Sequence, residues 1–252
     1  MKIDILTIFP EMFDATNASL IGKAKEKKLL DIKCHNIRDY TTNKHNKVDE
    51  YIFGGGPGML MMPEPVTRCL RAIDAKDKKI IYMSPKGKIL NKEKAEQLAQ
   101  EKEICIVCGR YEGIDQRIID GWDMEEISIG DYILTGGEPA ALVLIDVVAR
   151  MVEEVIGNKE SVMQESIYSG LLEAPHYTQP REYEGMKVPE VLFSGNHKAI
   201  HLWKFEQSLI ITKERRPDLL QKYIENLVGP LERNFTKEER KIIEKICGKS
   251  EE

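Results

Sequence analysis

Apolar residues fall along the chain in two alternating rhythms. Short, mostly apolar runs open Lys2–Phe9 (KIDILTIF), Lys79–Gly87 (KIIYMSPKG), Ile104–Gly113 (ICIVCGRYEG) and Ile127–Gly137 (ISIGDYILTGG), and each stops at Pro or at a Gly-containing turn. Short runs of this kind predict strands buried on both faces, as in a parallel sheet. Asp31–Ile37 (DIKCHNI) alternates instead and predicts a half-buried strand. Helical patterns fill the intervals: Ser19–Leu30, Pro63–Ala75 with Pro near its start, and Lys92–Glu101 with Asn91 placed to cap it. A short helix is expected around Ile114–Asp120, and a long one, apolar on most sides, from Glu138 to Ile156. Strands alternating with helices predict an α/β fold with a largely parallel sheet. Residues 39–62 read as a long polar, glycine-rich loop, a length that usually marks a functional or mobile segment.

After Gly157 the rhythm is lost. NKESVMQESIYSG is polar and unpatterned, as a linker is, and from about Leu171 the chain is rich in Pro, Gly and Tyr with few strand signals. Helices over Lys198–Thr212, Pro217–Val228 and Thr236–Cys247 close it, the last opened by a capping-box pattern, Thr236-Lys237-Glu238-Glu239. The expected organisation is therefore an α/β domain over 1–157, a linker over 158–172 and a small helical domain over 173–252.

Composition narrows the class. The most apolar stretch, Pro139–Val148, is interrupted by Asp146 and followed by Arg150, so no transmembrane span is expected. The N-terminus, MKIDILTIFPEMF, carries acids too early for a secretory signal, and a cytoplasmic protein is expected. Five cysteines, an odd number, argue against a disulfide framework. Cys105 and Cys108 would point to opposite faces of one strand, which favours buried thiols over a redox or metal pair. The net charge of −5 does not advertise a nucleic-acid binder, but Gly22–Lys47 holds eight Lys/Arg against three acids. That stretch is either a phosphate-binding face or the solvated side of a surface helix, and charge alone does not choose.

Candidate chemistry gathers in loops. Gly54-Gly55-Gly56-Pro57-Gly58 lacks the Lys-Ser/Thr of a P-loop and the spacing of a dinucleotide fingerprint. Close approach of backbone to a flat ligand is its favoured reading, with a mobile loop as the alternative. Three strand-end loops contribute Ser84, Gly109, Tyr111, Gly113, Gly130, Gly136 and Gly137. Taken singly each is ordinary turn chemistry; together they suggest one pocket for an adenine-type ligand read by main chain. Asp146 and Arg150 are spaced i,i+4, which fits an intrahelical pair or an arginine aimed at a substrate oxygen. Glu165 and Ser166 lie in the polar linker, where composition leaves their role open. The histidines, 35, 45, 176, 197 and 201, form no H-E-x-x-H, and no zinc site or Ser-His-Asp arrangement is legible.

Seven stretches then occur in order: IDILTIFPEMF, VDEYIFGGGPGMLM, YMSPKG, CGRYEGIDQRI, EISIGDYILTGGEPAA, GLLEAPHYTQP, and VPEVLFSGNH with IHLWKFEQSL. In these the chain resembles the bacterial tRNA (guanine-N1)-methyltransferase family, TrmD, over essentially its whole length. The resemblance implies a SPOUT-type parallel sheet with a deep trefoil knot, a small C-terminal α-helical domain that helps to bind tRNA, and a homodimer with active sites at the subunit interface. It implies methyl transfer from S-adenosylmethionine to N1 of guanosine at tRNA position 37, with Mg2+ supporting activity and no ligands assigned to it. The cofactor residues it implies are Tyr82, Ser84, Pro85, Gly109, Tyr111, Glu112, Gly113, Ile129, Gly130, Asp131, Tyr132, Ile133, Leu134, Gly136 and Gly137. For the target guanine it implies Asp49, Phe53, Gly54, Gly55, Gly56, Pro57 and Gly58. The catalytic arginine falls on Arg150 and the general base on Glu165, where many members carry the shorter Asp. GGEPAA replaces the commoner GGELPA. The alternatives are a SPOUT methyltransferase acting on another RNA site and a non-catalytic RNA-binding relative.

Overall fold

The structure, a computed structural model, describes residues 1–156, 166–228 and 235–248. The chain divides into two compact units, Met1–Gly157 and Asn158–Glu252.

In the first unit the strands are β1 (Lys2–Thr7), β2 (Asp31–Asn36), β3 (Asp49–Tyr51), β4 (Met59–Met61), β5 (Lys79–Ile89), β6 (Glu103–Cys108) and β7 (Glu125–Ser128). Five of them form one parallel sheet in the order β2-β1-β6-β5-β7. The helices are α1 (Ser19–Glu26), α2 (Pro63–Ala72), α3 (Lys92–Ala99), α4 (Gln116–Gly121) and α5 (Glu138–Met151). Alternate strand residues feed two separate cores. Leu6, Ile80, Cys105 and Val107 pack with Val66, Cys69 and Leu70 of α2 and Ile118 of α4. Ile3, Ile5, Ile81, Ile104, Ile106 and Cys108 pack with Leu98 of α3 and with Leu144, Ile145 and Val148 of α5. Helices thus cover both faces, which is why the strands read as continuous apolar runs. Each fully buried aliphatic side chain contributes roughly 1.5–3 kcal/mol. Cys105 and Cys108 lie in opposite cores, and burial raises both thiols well above their ordinary value. They are inert packing groups.

Several ends differ from the pattern-based expectation, each for a local reason. Helix α1 stops at Glu26 rather than Leu30, because Lys28 turns left-handed (φ 60) and the Leu29 N–H bonds back to the Ala24 carbonyl at 2.9 Å. Helix α5 stops at Met151 rather than Ile156, where Val152 becomes extended and its N–H bonds to Ala149. Strand β5 does not end at Gly87 but continues to Ile89, with its pairing to β7 interrupted between Met83 and Lys88. Inside the expected loop 39–62, β3 and β4 form an antiparallel hairpin. Tertiary contacts hold it: Val48 and Met61 are buried, and the Met61 N–H bonds to the Gly113 carbonyl at 3.0 Å. Three-residue strands carry too little alternation to be read from sequence.

At the amino ends of the strands, buried Asp4 meets Lys78 Nζ at 2.7 Å and His35 Nε2 at 2.8 Å. Burial alone would raise the Asp4 carboxyl, but these hydrogen bonds outweigh it and hold the group below its ordinary 3.8. A depressed carboxyl stabilises the fold above its unfolded pKa, and that contribution is lost as pH falls through the folded value. Asp4→Ala is expected to cost about 3 kcal/mol at pH 7, since it leaves the buried ammonium of Lys78 with only the half-exposed Glu103, 3.3 Å away, of its two carboxylate partners. Urea unfolding at pH 7 and pH 3 checks this: the gap between wild type and variant should narrow at the lower pH.

The second unit is built on α6 (His197–Arg215), α7 (Pro217–Val228) and α8 (Lys237–Cys247) around Leu171, Leu209, Leu220, Tyr223 and Ile246. The capping box is formed: Thr236 Oγ1 accepts from the Glu239 N–H at 3.2 Å, and Glu239 Oε2 accepts from the Thr236 N–H at 2.8 Å. A two-residue turn at Glu184-Gly185, both at positive φ, joins the short strands β8 (Glu182–Tyr183) and β9 (Met186–Lys187). Of the segment 158–172, residues 158–165 lie outside the described residues. Leu171 is buried in this unit's core, and the Leu172 N–H donates to Thr212 Oγ1 at 2.8 Å. Among the described residues no helix is long and apolar enough to cross a membrane.

Candidate active site

Because β6, β5 and β7 are adjacent and parallel, their carboxyl ends open on one side, and the loops that follow face one another. Between them lies a cavity of about 260 Å³. Of the residues expected at the cofactor, all line it except Asp131, which is exposed beside it. Tyr82 forms part of the buried wall, and burial pushes its hydroxyl up to about 12, so it stays an O–H. Gly109 and Gly113 leave bare backbone opposite it: a Cβ would come within 2.7 Å and 2.9 Å of the Tyr82 Oη. Tyr111, between them, is held left-handed (φ 58) with its ring half exposed.

The 109–113 and 129–137 loops are locked together. The Gly137 N–H donates to the Gly109 carbonyl at 2.9 Å, and Arg110 Nη1 donates to the Thr135 carbonyl at 2.9 Å. Arg110 also stacks 4.4 Å from the Phe9 ring centroid and places Nε 3.1 Å from Oε2 of fully buried Glu138. The angle of that ion pair is too poor for a hydrogen bond. The other Glu138 oxygen accepts from Thr7 Oγ1 at 2.8 Å. This packing explains the glycine pair. A Cβ on Gly136 would sit 2.4 Å from Arg110 Nε, and one on Gly137 would sit 2.9 Å from the Cys108 Cα. Gly137→Ala is therefore expected to lower stability by about 1–3 kcal/mol and to weaken ligand binding in the cavity. Gly121→Ala, with nothing within 4 Å of the new methyl, should do neither. Thermal melts and ligand titration of the two variants make the comparison.

The other expected site residues do not line this cavity. Asp49 lies on β3, and residues 53–58 form the connection to β4, where Gly54, Gly55, Gly56 and Gly58 all adopt positive φ. Phe53 stands 97% exposed, and open space surrounds Gly54, Gly55 and Gly56. Gly58 approaches the cavity, its missing Cβ position 2.6 Å from Glu112 Oε1. Arg150 is half-buried in the last turn of α5. Ala140 of the same helix lines the cavity, and ten residues of helix separate the two by about 15 Å. Glu165 lies outside the described residues. Among the described residues no group of three or more His, Cys, Asp or Glu side chains is placed to hold a metal ion. The cavity also includes Gln116, Ile119, Glu126 and Ala140, which sequence reading did not single out. A signal existed for Glu126, a charged residue within an apolar strand just before a glycine turn.

A parallel α/β sheet with a backbone-lined cavity across the carboxyl ends of neighbouring strands defines an α/β ligand-binding protein. The comparisons with known proteins sharpen that class. The chain belongs to the tRNA (guanine-1)-methyltransferase TrmD family, whose model matches residues 1–222. A tRNA (guanine-N(1)-)-methyltransferase of Clostridium perfringens is 54% identical, covering 88% of this chain and 94% of the relative. One of Alkaliphilus oremlandii is 49% identical across 99% of this chain and all of the relative, and one of Clostridium botulinum is 49% identical across 96% and 97%.

Proposed function

We propose that this chain transfers a methyl group from S-adenosylmethionine to N1 of guanosine at position 37 of tRNA. The observation that carries the reading is the glycine-walled cavity at the ends of β5, β6 and β7, in a chain of this family. The residues fit such a ligand. Gly109 and Gly113 bring backbone to the cavity wall, the 129–134 run offers main-chain donors and acceptors, and Leu134 and Ala140 add apolar contact.

The bound cofactor supplies an electrophilic methyl on a sulfonium. Guanine N1 must lose its proton to attack, and Glu165 is the proposed acceptor. Arg150 is proposed to stabilise the charge that develops on guanine O6. Asp49 and the 53–58 segment are proposed to hold the guanine, whose removal from its stack costs roughly a few kcal/mol. Much of the remaining barrier is positioning of two bound reactants. Magnesium is proposed to support activity, with no ligand set in this chain assigned to it.

Arg150 stands about 15 Å along α5 from the cavity edge, which supports a homodimer in which the partner completes each site. We further infer the deep trefoil knot of SPOUT folds at the carboxyl edge of the sheet. Crowding there supports it: a Cβ on Gly87 would fall 2.3 Å from the Glu126 carbonyl carbon, and residues 110 and 136 form an isolated bridge. Residues 1–157 are proposed as the cofactor-binding and catalytic domain, 158–172 as the connection, and 173–252 as the tRNA-binding domain.

Labelled-methyl transfer to two tRNA transcripts, one with guanosine and one with adenosine at position 37, tests the proposal. Label on the first alone, mapped to N1, is expected. Label on both moves the reaction to another RNA site, and label on neither, with tRNA and cofactor bound, favours a non-catalytic RNA-binding protein.

A further inference from the structure

The two most exposed aromatic side chains among the described residues sit together at the tip of the β3–β4 hairpin. Tyr51, at the end of β3, is 78% exposed, and Phe53, two residues on, is 97% exposed. Ile52 between them is half-buried, so the alternation turns both rings outward. Among the described residues neither ring stacks on another ring or on a cation. A pair of large apolar groups left this bare marks a binding surface.

The hairpin holds this pair in a fixed relation to the cavity. Tyr51 is opposite Met59 of β4, and the Met59 carbonyl accepts from the N–H of Glu112, a cavity-lining residue, at 3.0 Å. Two strand spacings therefore put Tyr51 roughly 10 Å from that wall. The Asp115 N–H donates to the Met61 carbonyl at 3.1 Å, which continues the lacing along β4. Open space surrounds Gly54, Gly55 and Gly56 beside the rings, and Lys44, in the turn before β3, is an exposed cation.

Resting on the function proposed above, we infer that Tyr51 and Phe53 stack on the unpaired bases that flank the target guanosine. A guanine drawn into the cavity leaves its neighbours unstacked, one nucleotide step from the wall. An aromatic ring restores that stacking, and it does so for any base, since every base has a π face. Lys44 offers a charge to the phosphates that accompany those bases. A second copy of this chain fits the tip less well. Two rings supply about 300–500 Å², short of the roughly 800 Å² per partner that a stable interface needs, and the glycines beside them add no side chains.

The test is equilibrium binding of the full-length protein to three tRNA transcripts, one intact, one abasic at position 36 and one abasic at position 38. Wild type should lose about fivefold to a hundredfold in affinity with at least one abasic transcript. The double variant Tyr51→Ala, Phe53→Ala should lose as much with the intact transcript, and the abasic site should then cost it less than twofold more, because the stacking partner is already gone. Leucine at both positions, bulky and apolar without a π face, should behave as alanine, whereas Tyr51→Phe with Phe53→Tyr should bind as wild type does. S-adenosylhomocysteine should bind every variant within about twofold of wild type, and loss of that binding would make the rings a support of the cavity and overturn the inference. Penalties that simply add, or leucine variants that bind tRNA as wild type does, also overturn it. So does a change of oligomeric state in sedimentation, which assigns the rings to a second copy. Wild type that transfers methyl yet tolerates both abasic sites overturns this inference alone, and wild type that binds no tRNA overturns the proposed function with it.

Discussion

Glu165→Gln is expected to slow methyl transfer by about a hundredfold to ten-thousandfold while tRNA and cofactor affinities stay within about threefold of wild type. The amide has the shape of the carboxylate but cannot take the N1 proton, and a guanine that keeps that proton has its N1 lone pair delocalised into the ring and the C6 carbonyl, unavailable to the methyl. Single-turnover measurement with enzyme in excess isolates this step from product release. Glu165→Asp, the residue many members carry, should retain most of the rate, because a shorter carboxylate is still a base. Wild-type single-turnover rates in the glutamine variant would remove Glu165 from the chemistry. Weakened tRNA binding with an unchanged rate would make it a substrate-holding residue instead.

Arg150→Ala is expected to lower the rate by about a hundredfold to a thousandfold, and the loss should be repairable by a second subunit. The distance along α5 is the reason. If the partner's arginine serves each cavity, a subunit lacking Arg150 still offers an intact cavity, and a cavity-defective subunit still offers its arginine. Gly109→Val supplies the second defect, since its side chain would collide with the Tyr82 hydroxyl. Each variant alone should be nearly inactive. Randomly reassembled mixtures should recover about a quarter of the wild-type rate, because half the two-fold dimers are mixed and each holds one complete site. Recovery above that of the separate variants establishes the shared site. No recovery, with mixed dimers shown to form by a tag on one variant, would place Arg150 and the cavity in the same subunit or outside the reaction.

The strand-end loops were legible for a physical reason. A buried parallel strand must be apolar on both faces, and a loop that brings backbone close to a ligand or to another loop must be glycine. Both demands write themselves into local sequence, at YMSPKG, CGRYEG and ILTGG. The capping box at Thr236 and the cap at Asn91 were legible on the same footing, since they are satisfied within four residues. The β3–β4 hairpin was not, because its support comes from the Gly113 carbonyl more than fifty residues away. Nor was the purpose of Gly136, whose missing side chain makes room for a guanidinium from a different loop.

Alone, then, the sequence determined the alternating α/β pattern, the loops that would carry chemistry, and the motifs that mark the family. Those properties depend on neighbours along the chain. The tertiary structure decided strand order, and with it that β6, β5 and β7 stand side by side so that their loops close one cavity. It also decided that Glu126 keeps one oxygen buried without a hydrogen-bond partner among the described residues, while Glu125, one residue away, is paired with two lysines. Pairing of this kind is set by what distant segments bring to a side chain, and no local pattern records it.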